Sequence, residues 1–246
     1  VSRLSVRQVD KSFGGLQALR GVTFETEGEI LGLIGPNGAG KTTLFNIISG
    51  FLSPTTGEVY YAGRSIHRYR AHQIVKLGIA RTFQIVKPFA DLTVLDNVLS
   101  GYGMPFYASW QAFSQRYRTP VTEQRAHSVL ELTGLTPWAA ARAGSLPIGV
   151  QRRLEIARAL ATEPSLLLLD EPAAGLTSHE ATELASLVRA LYEAGKSIIV
   201  IEHNMVFAMG LCQRVIVLAQ GEIISQGTPA EVQADQRVIN AYLGQE

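Results

Sequence analysis

The stretch Gly35-Pro36-Asn37-Gly38-Ala39-Gly40-Lys41-Thr42-Thr43 limits the possible fold more than any other part of this 246-residue chain. It fits G-x-x-x-x-G-K-[ST], a loop that wraps nucleotide phosphates. At average residue usage, a chance match in a chain of this length is roughly a one-in-a-hundred event. The preceding run Ile30-Leu31-Gly32-Leu33-Ile34 reads as a short buried strand, and Thr42-Thr43-Leu44-Phe45-Asn46-Ile47-Ile48 as the start of a helix. Strand, glycine loop and helix are the setting that the motif requires. Glycines let the backbone approach an anion with no Cβ in the way. The backbone N–H groups and the helix start then face the phosphates. Lys41 adds a point charge for the β- and γ-phosphates, and Thr42 offers a hydroxyl to Mg²⁺. Gly35, Pro36, Asn37, Gly38, Ala39, Gly40, Lys41, Thr42 and Thr43 are therefore the expected nucleotide-binding residues.

The rest of the chain alternates strand and helix signals around this motif. Residues 4–9 and 21–27 alternate apolar and polar, with a turn at Gly14-Gly15. Residues 58–63 read as strand and turn, residues 65–77 as helix, and residues 79–84 as a further strand. From Thr93 to Gly134 the pattern is mostly helical, interrupted near Gly101-Tyr102-Gly103-Met104-Pro105. Residues 152–160 read as helix. Ser165-Leu166-Leu167-Leu168-Leu169 is a continuous apolar run, as in a strand buried on both faces of a parallel sheet. Residues 179–194 form a helix ended by Gly195, and residues 197–201 another buried strand. A hairpin turns at Gln220-Gly221, and the tail 229–243 is an amphipathic helix. The expected organisation is one domain over 1–246. Its α/β core comprises 1–90 and 153–246, and a helical lobe occupies 91–152.

Bulk properties narrow the setting. A hydrophobic fraction of 46% against 17% charged residues describes a globular chain. A net charge of +1 gives no whole-chain case for nucleic-acid binding. The single Cys212 fits a reducing compartment. No apolar run approaches the length of a membrane span. Charge is uneven locally: residues 59–90 hold no acid but include Arg64, Arg68, Arg70, Lys76, Arg81 and Lys87. Such a window is either a solvated helix face or a surface turned toward anions.

A phosphate loop needs a carboxylate for Mg²⁺, set at the end of a hydrophobic strand. Leu166-Leu167-Leu168-Leu169-Asp170-Glu171 supplies it. Asp170 is placed to hold the Mg²⁺ shell, and Glu171 to polarise an attacking water as a general base.

With these residues the chain resembles ATP-binding-cassette ATPases over essentially its whole length. The resemblance implies a P-loop NTPase (RecA-like) parallel-sheet core, an N-terminal antiparallel β subdomain and an inserted helical lobe. It implies ATP and Mg²⁺. Thr82-Phe83-Gln84 is similar to the family's Q-loop, where Gln84 would touch Mg²⁺ and the attacking water. Ile201-Glu202-His203 is similar to the switch segment, with His203 on the γ-phosphate. Phe13 lies where the family stacks an aromatic on adenine. The segments Phe13-Gly14-Gly15-Leu16-Gln17-Ala18-Leu19, Gly78-Ile79-Ala80-Arg81-Thr82-Phe83-Gln84 and Ala241-Tyr242-Leu243-Gly244 resemble ATPase subunits of branched-chain amino acid importers. So does the helix that opens Gln151-Arg152-Arg153-Leu154-Glu155. That branch implies a second ATPase subunit, transmembrane permease subunits, an indirect link to a solute-binding protein, and a place on the cytoplasmic face of the membrane. Urea or amide importers share these features, and a weakened regulatory subunit is a further alternative.

One segment departs from the family. The signature Leu-Ser-x-Gly-Gln caps the γ-phosphate of the partner's ATP. Here it reads Leu146-Pro147-Ile148-Gly149-Val150, followed by Gln151. Pro147 brings neither a hydroxyl nor a backbone N–H. Gly149 and the helix start remain for anion stabilisation. The expectation is an asymmetric heterodimer, in which this chain holds its own ATP well and completes its neighbour's poorly.

Overall fold

The computed structural model describes residues 4–82, 88–103 and 118–243. The described residues form two sheets and a helical lobe. The first sheet is antiparallel, in the order β2-β1-β4-β5. It is built from β1 (Leu4–Phe13), β2 (Leu16–Thr26), β4 (Thr56–Tyr61) and β5 (Arg64–Ser65). The second has the order β10-β9-β3-β8-β7-β6. Its strands are β3 (Ile30–Ile34), β6 (Ile79–Arg81), β7 (Leu166–Asp170), β8 (Ser197–Ile201), β9 (Arg214–Ala219) and β10 (Glu222–Gly227). All its pairings are parallel except the β9–β10 hairpin.

The continuous apolar runs of β3, β7, β8 and β9 follow from burial on both faces. Alternate residues divide between two cores. Leu31, Leu33, Leu166, Leu168, Ile199, Ile201, Ile216 and Leu218 face one cluster, with the antiparallel sheet and α1 (Lys41–Ile48). Ile30, Ile34, Leu167, Leu169, Ile198, Val200, Val215 and Val217 face the other. That second face is covered by α6 (Ser178–Glu193) and α7 (Met205–Leu211). Thr177 caps α6 through the Glu180 N–H, and the Glu180 carboxylate returns to the Thr177 N–H, a reciprocal capping box.

The lobe consists of α3 (Val94–Gly103), α4 (Pro120–Leu132) and the first turns of α5 (Ile148–Leu160). Its own core contains Val94, Val98, Leu99, Ala126, Leu130, Leu154 and Ala157. Helix α5 serves two cores, since Ile156, Ala159 and Leu160 pack under the parallel sheet.

Several elements differ from the sequence expectation. The helix read over 65–77 is only α2 (Ala71–Lys76). Ile66 and Tyr69 mimic its apolar face, but they pack from a turn: the Ile66 N–H donates to the Val59 carbonyl, and that of Tyr69 to the Ile66 carbonyl. The strand from Ile79 ends at Arg81, and residues 83 and 84 lie outside the described residues. Helix α3 runs on through Gly101 to Gly103, while Met104 and Pro105 lie outside the described residues. A Cβ on Gly101 would meet the Arg158 carbonyl at 2.7 Å, so glycine is what lets α3 approach α5. The tail is two helices, α8 (Pro229–Ala234) and α9 (Gln236–Leu243), broken at the extended Asp235.

Candidate active site

Parallel register brings the sequence-distant motifs to one edge. Leu33 lies opposite Ile201, and Ile201 opposite Asp170. The chain leaves these strands at one level, so the phosphate loop, Glu171 and Glu202-His203 emerge side by side. The carboxyl ends of strands in an open α/β sheet are where such folds bind ligands.

The phosphate loop enters α1 through Gly40 at φ 103°, in the left-handed region. A side chain there would also strike the Ala18 carbonyl at 2.6 Å. Among the described residues no side chain caps the first turn of α1, and no acid lies in it. Its unsatisfied N–H groups therefore suit an anion. Lys41 is buried, and its Nζ donates to the carbonyls of Gly35 at 2.6 Å and Pro36 at 2.9 Å. Burial pushes its ammonium below the ordinary lysine range, while Glu171 and then Asp170 pull it back up. The loop thus has a cation and free donors: the residues present fit a nucleotide triphosphate. Thr42, next along, is exposed.

Asp170 ends β7 and is buried with Arg81, whose Nη2 donates to Asp170 Oδ2 at 2.7 Å. Among the described residues the second oxygen, Oδ1, has no hydrogen-bond partner. The Asp170 N–H donates to Thr82 Oγ1 at 3.2 Å, which ties β7 to the end of β6. A hydroxyl at Thr42 and one oxygen of Asp170 fit the oxygen preference of Mg²⁺. Gln84, the third expected ligand, lies outside the described residues.

Glu171 follows with φ 47°. A bulky residue held in that region costs on the order of 1–3 kcal/mol, and such strain gathers at working sites. The Glu171 N–H is fixed by the Ile201 carbonyl at 3.0 Å. His203 Nδ1 lies 3.6 Å from Glu171 Oε2, and the His203 ring is largely exposed while Glu171 is mostly enclosed. The sequence neighbours of β7 and β8 are thereby brought together.

Two residues of the site were not singled out from sequence. Arg81 stood there in a basic cluster and in the segment Gly78 to Gln84, with no role of its own; it is internal and bound to Asp170. Glu202 is fully buried, accepting the Ala173 N–H at 2.9 Å. Burial pushes its carboxyl above the usual range, against the Ala173 and Asn204 N–H groups. It ties the end of β8 to the loop that follows Glu171.

Phe13 sits at the tip of the β1–β2 hairpin, 44% exposed, with Lys11 Nζ 5.0 Å from its ring centre. Near the same end of that hairpin, the Ala18 carbonyl lies against Gly40 of the phosphate loop. Pro147 is the N-cap of α5 and makes no side-chain cap. Pro147 and Ile148 are exposed, Val150 is half-buried, and the Gln151 amide donates back to the Leu146 carbonyl at 2.8 Å. Gly149 is buried: a Cβ there would lie 2.6 Å from Glu180 Oε1.

Topology and site together define a nucleotide-binding cassette. The chain belongs to the ABC transporter family, whose family model matches residues 19–174. It has the P-loop NTPase fold of that family. A second model, described as branched-chain amino acid ATP-binding cassette transporter, matches residues 222–246. The high-affinity branched-chain amino acid transport ATP-binding protein LivG of Salmonella typhimurium is 41% identical over 251 residues, covering 98% of each chain. BraF of Pseudomonas aeruginosa, with the same description, is 38% identical over 252 residues, again covering 98% of each. An ATP-binding cassette of an ABC transporter in its ADP conformation superposes with a TM-score of 0.90 at 31% identity, covering 100% of both chains. A dimeric bacterial ABC transporter cassette gives 0.79 at 28% identity, covering 92% of this chain and 98% of that one. Among the described residues no helix is long and apolar enough to cross a membrane.

Proposed function

We propose that this chain is the ATP-hydrolysing subunit of a membrane importer for branched-chain amino acids. Glu171 carries the reading: it is held in a strained backbone conformation beside His203, at the edge where the phosphate loop opens. Gly35 to Thr43 bind the triphosphate, with Lys41 on its terminal phosphates and Phe13 beside the adenine. Mg²⁺, held by Thr42, Asp170 and Gln84, would neutralise charge on the phosphates. Glu171 takes the proton of the attacking water, and His203 stabilises the transferred phosphoryl oxygens. Positioning and electrostatics supply most of the rate in such reactions.

The site is completed by a second ABC ATPase subunit, and transmembrane permease subunits take up the resulting motion. A solute-binding protein would deliver the amino acid from the other side. The chain would then work as a peripheral protein on the cytoplasmic face of the cell membrane. Pro147, Gly149, Val150 and Gln151 would face the partner's ATP. Their poor donor set supports an asymmetric heterodimer, with this chain's own site the more active. The substrate reading draws on the relatives and on the C-terminal match at 222–246. The test is phosphate release from the complex reconstituted with permease and binding protein. Stimulation by leucine, isoleucine or valine is expected. Stimulation by urea or amides instead would overturn the substrate.

A further inference from the structure

We propose that Arg81 is the positioning residue that sets Asp170 for Mg²⁺, using α1 as its fixed base. The inference rests on the reading that Thr42 and Asp170 hold that ion. The Arg81 side chain is only 6% exposed. One end of its guanidinium, Nη2, donates to Asp170 Oδ2 at 2.7 Å. The other, Nη1, donates to Asn46 Oδ1 at 2.7 Å and Ser49 Oγ at 3.0 Å. The rings of Phe45 and Phe51 lie 5.5 and 5.9 Å from its Cζ. Thr42, Asn46 and Ser49 follow the spacing i, i+4, i+7, which is one stripe of a helix. Arg81 thus binds the carboxylate of β7 to the same stripe that carries Thr42. It occupies one carboxylate oxygen and leaves Oδ1 for the ion.

Two effects of opposite sign follow. The guanidinium charge repels a second cation nearby. Against that, its planar fork fixes the direction of the carboxylate, which a point charge on a flexible stem does not. It also pairs the buried oxygen Oδ2, which would otherwise be left without a partner away from water. Orientation outweighs repulsion, because the guanidinium sits on Oδ2 and the ion would take Oδ1. Partners behind a metal ligand typically change metal affinity about 10–100-fold when removed.

The experiment is thermal melting of the full chain with ADP across a Mg²⁺ titration, with fluorescent-ADP binding in EDTA alongside. Arg81→Met is expected to raise the Mg²⁺ concentration for half-maximal stabilisation about tenfold. Binding of ADP in EDTA should stay within about twofold, since the phosphate loop is untouched. Arg81→Lys should recover less than half of the shift. Ser49→Ala, which removes only one anchor, should shift the midpoint the same way by less, and it carries the test if Arg81→Met does not fold. A Mg²⁺ midpoint that is unchanged or lowered in these variants overturns the inference, even if melting temperatures fall throughout. Asp170→Asn separates the two readings. If it leaves the Mg²⁺ midpoint unmoved, the metal-site reading itself fails; if it moves the midpoint and the other variants do not, only the role of Arg81 fails.

Discussion

Helices α1 and α5 both present an N-terminus that the proposed function sets against a phosphate, and they are built in opposite ways. At α1 the cap is a left-handed glycine, no acid stands in the first turn, and a buried lysine is in reach. Strand ends locked in register surround it. At α5 the cap is Pro147, with no hydroxyl to offer, and the Glu180 carboxylate lies against Gly149. A helix end attracts anions only as far as its neighbours leave donors free and add no negative charge. The first end is furnished as a site that this chain uses. On the proposed function, the second is a reduced contribution to another subunit.

The largest expected effect tests the first end. Glu171→Gln should lower ATP turnover by about 10²–10⁴-fold, the span of a general base, while ATP binding persists. Turnover that survives would remove the chemistry from this edge. Next comes the second end. Pro147→Ser combined with Val150→Gln restores donors worth about 1.5–3 kcal/mol for one charge-assisted bond. Hydrolysis at the partner's site should therefore rise by about tenfold or more. No rise would mean that Glu180, not the missing hydroxyl, limits this helix end.

Smaller effects probe how firmly the strand ends are fixed. Glu202→Ala leaves the Ala173 N–H without its acceptor and should cost about 1–3 kcal/mol in denaturant unfolding. Glu202→Gln keeps that acceptor and should cost less than about 1 kcal/mol. The sign with pH is definite. The folded-state pKa of Glu202 is raised, so its ionised form carries a penalty above that pKa, relieved as pH falls through it. Glu202→Gln should therefore flatten the stability profile just above the ordinary carboxylate range. Least of all should change at Cys212, which is buried behind β3, with its thiol pushed up to about 12 by burial. Its reaction with a thiol reagent near neutral pH should follow global unfolding. Fast labelling of the native chain would show that the helix layer over the middle of β3 opens locally.

What could be read in sequence was what is local in sequence. The loop from Gly35 to Thr43, and the acids after four leucines, carry their chemistry within a few residues. The α/β order was legible for the same reason, since strands buried on both faces leave unbroken apolar runs. Arg81 was not legible: its acceptors on Asn46, Ser49 and Asp170 lie 35, 32 and 89 residues away along the chain. Its neighbours place it on a strand, unlike the exposed Arg68 and Arg70, but nothing near it names the carboxylate it meets. Glu202 was hidden behind its neighbour His203, because its task is to hold a distant backbone N–H. The overlong helix at 65–77 came from apolar spacing that a turn also satisfies when it packs onto a core.

The central claim is that hydrolysis is concentrated in the site this chain builds for itself. The direct measurement is ATPase activity of the complex with its partner subunit, with the catalytic glutamate changed to glutamine in one subunit at a time. Glu171→Gln is predicted to remove nearly all activity, and the corresponding change in the partner to remove little. Equal loss from either change would contradict the account.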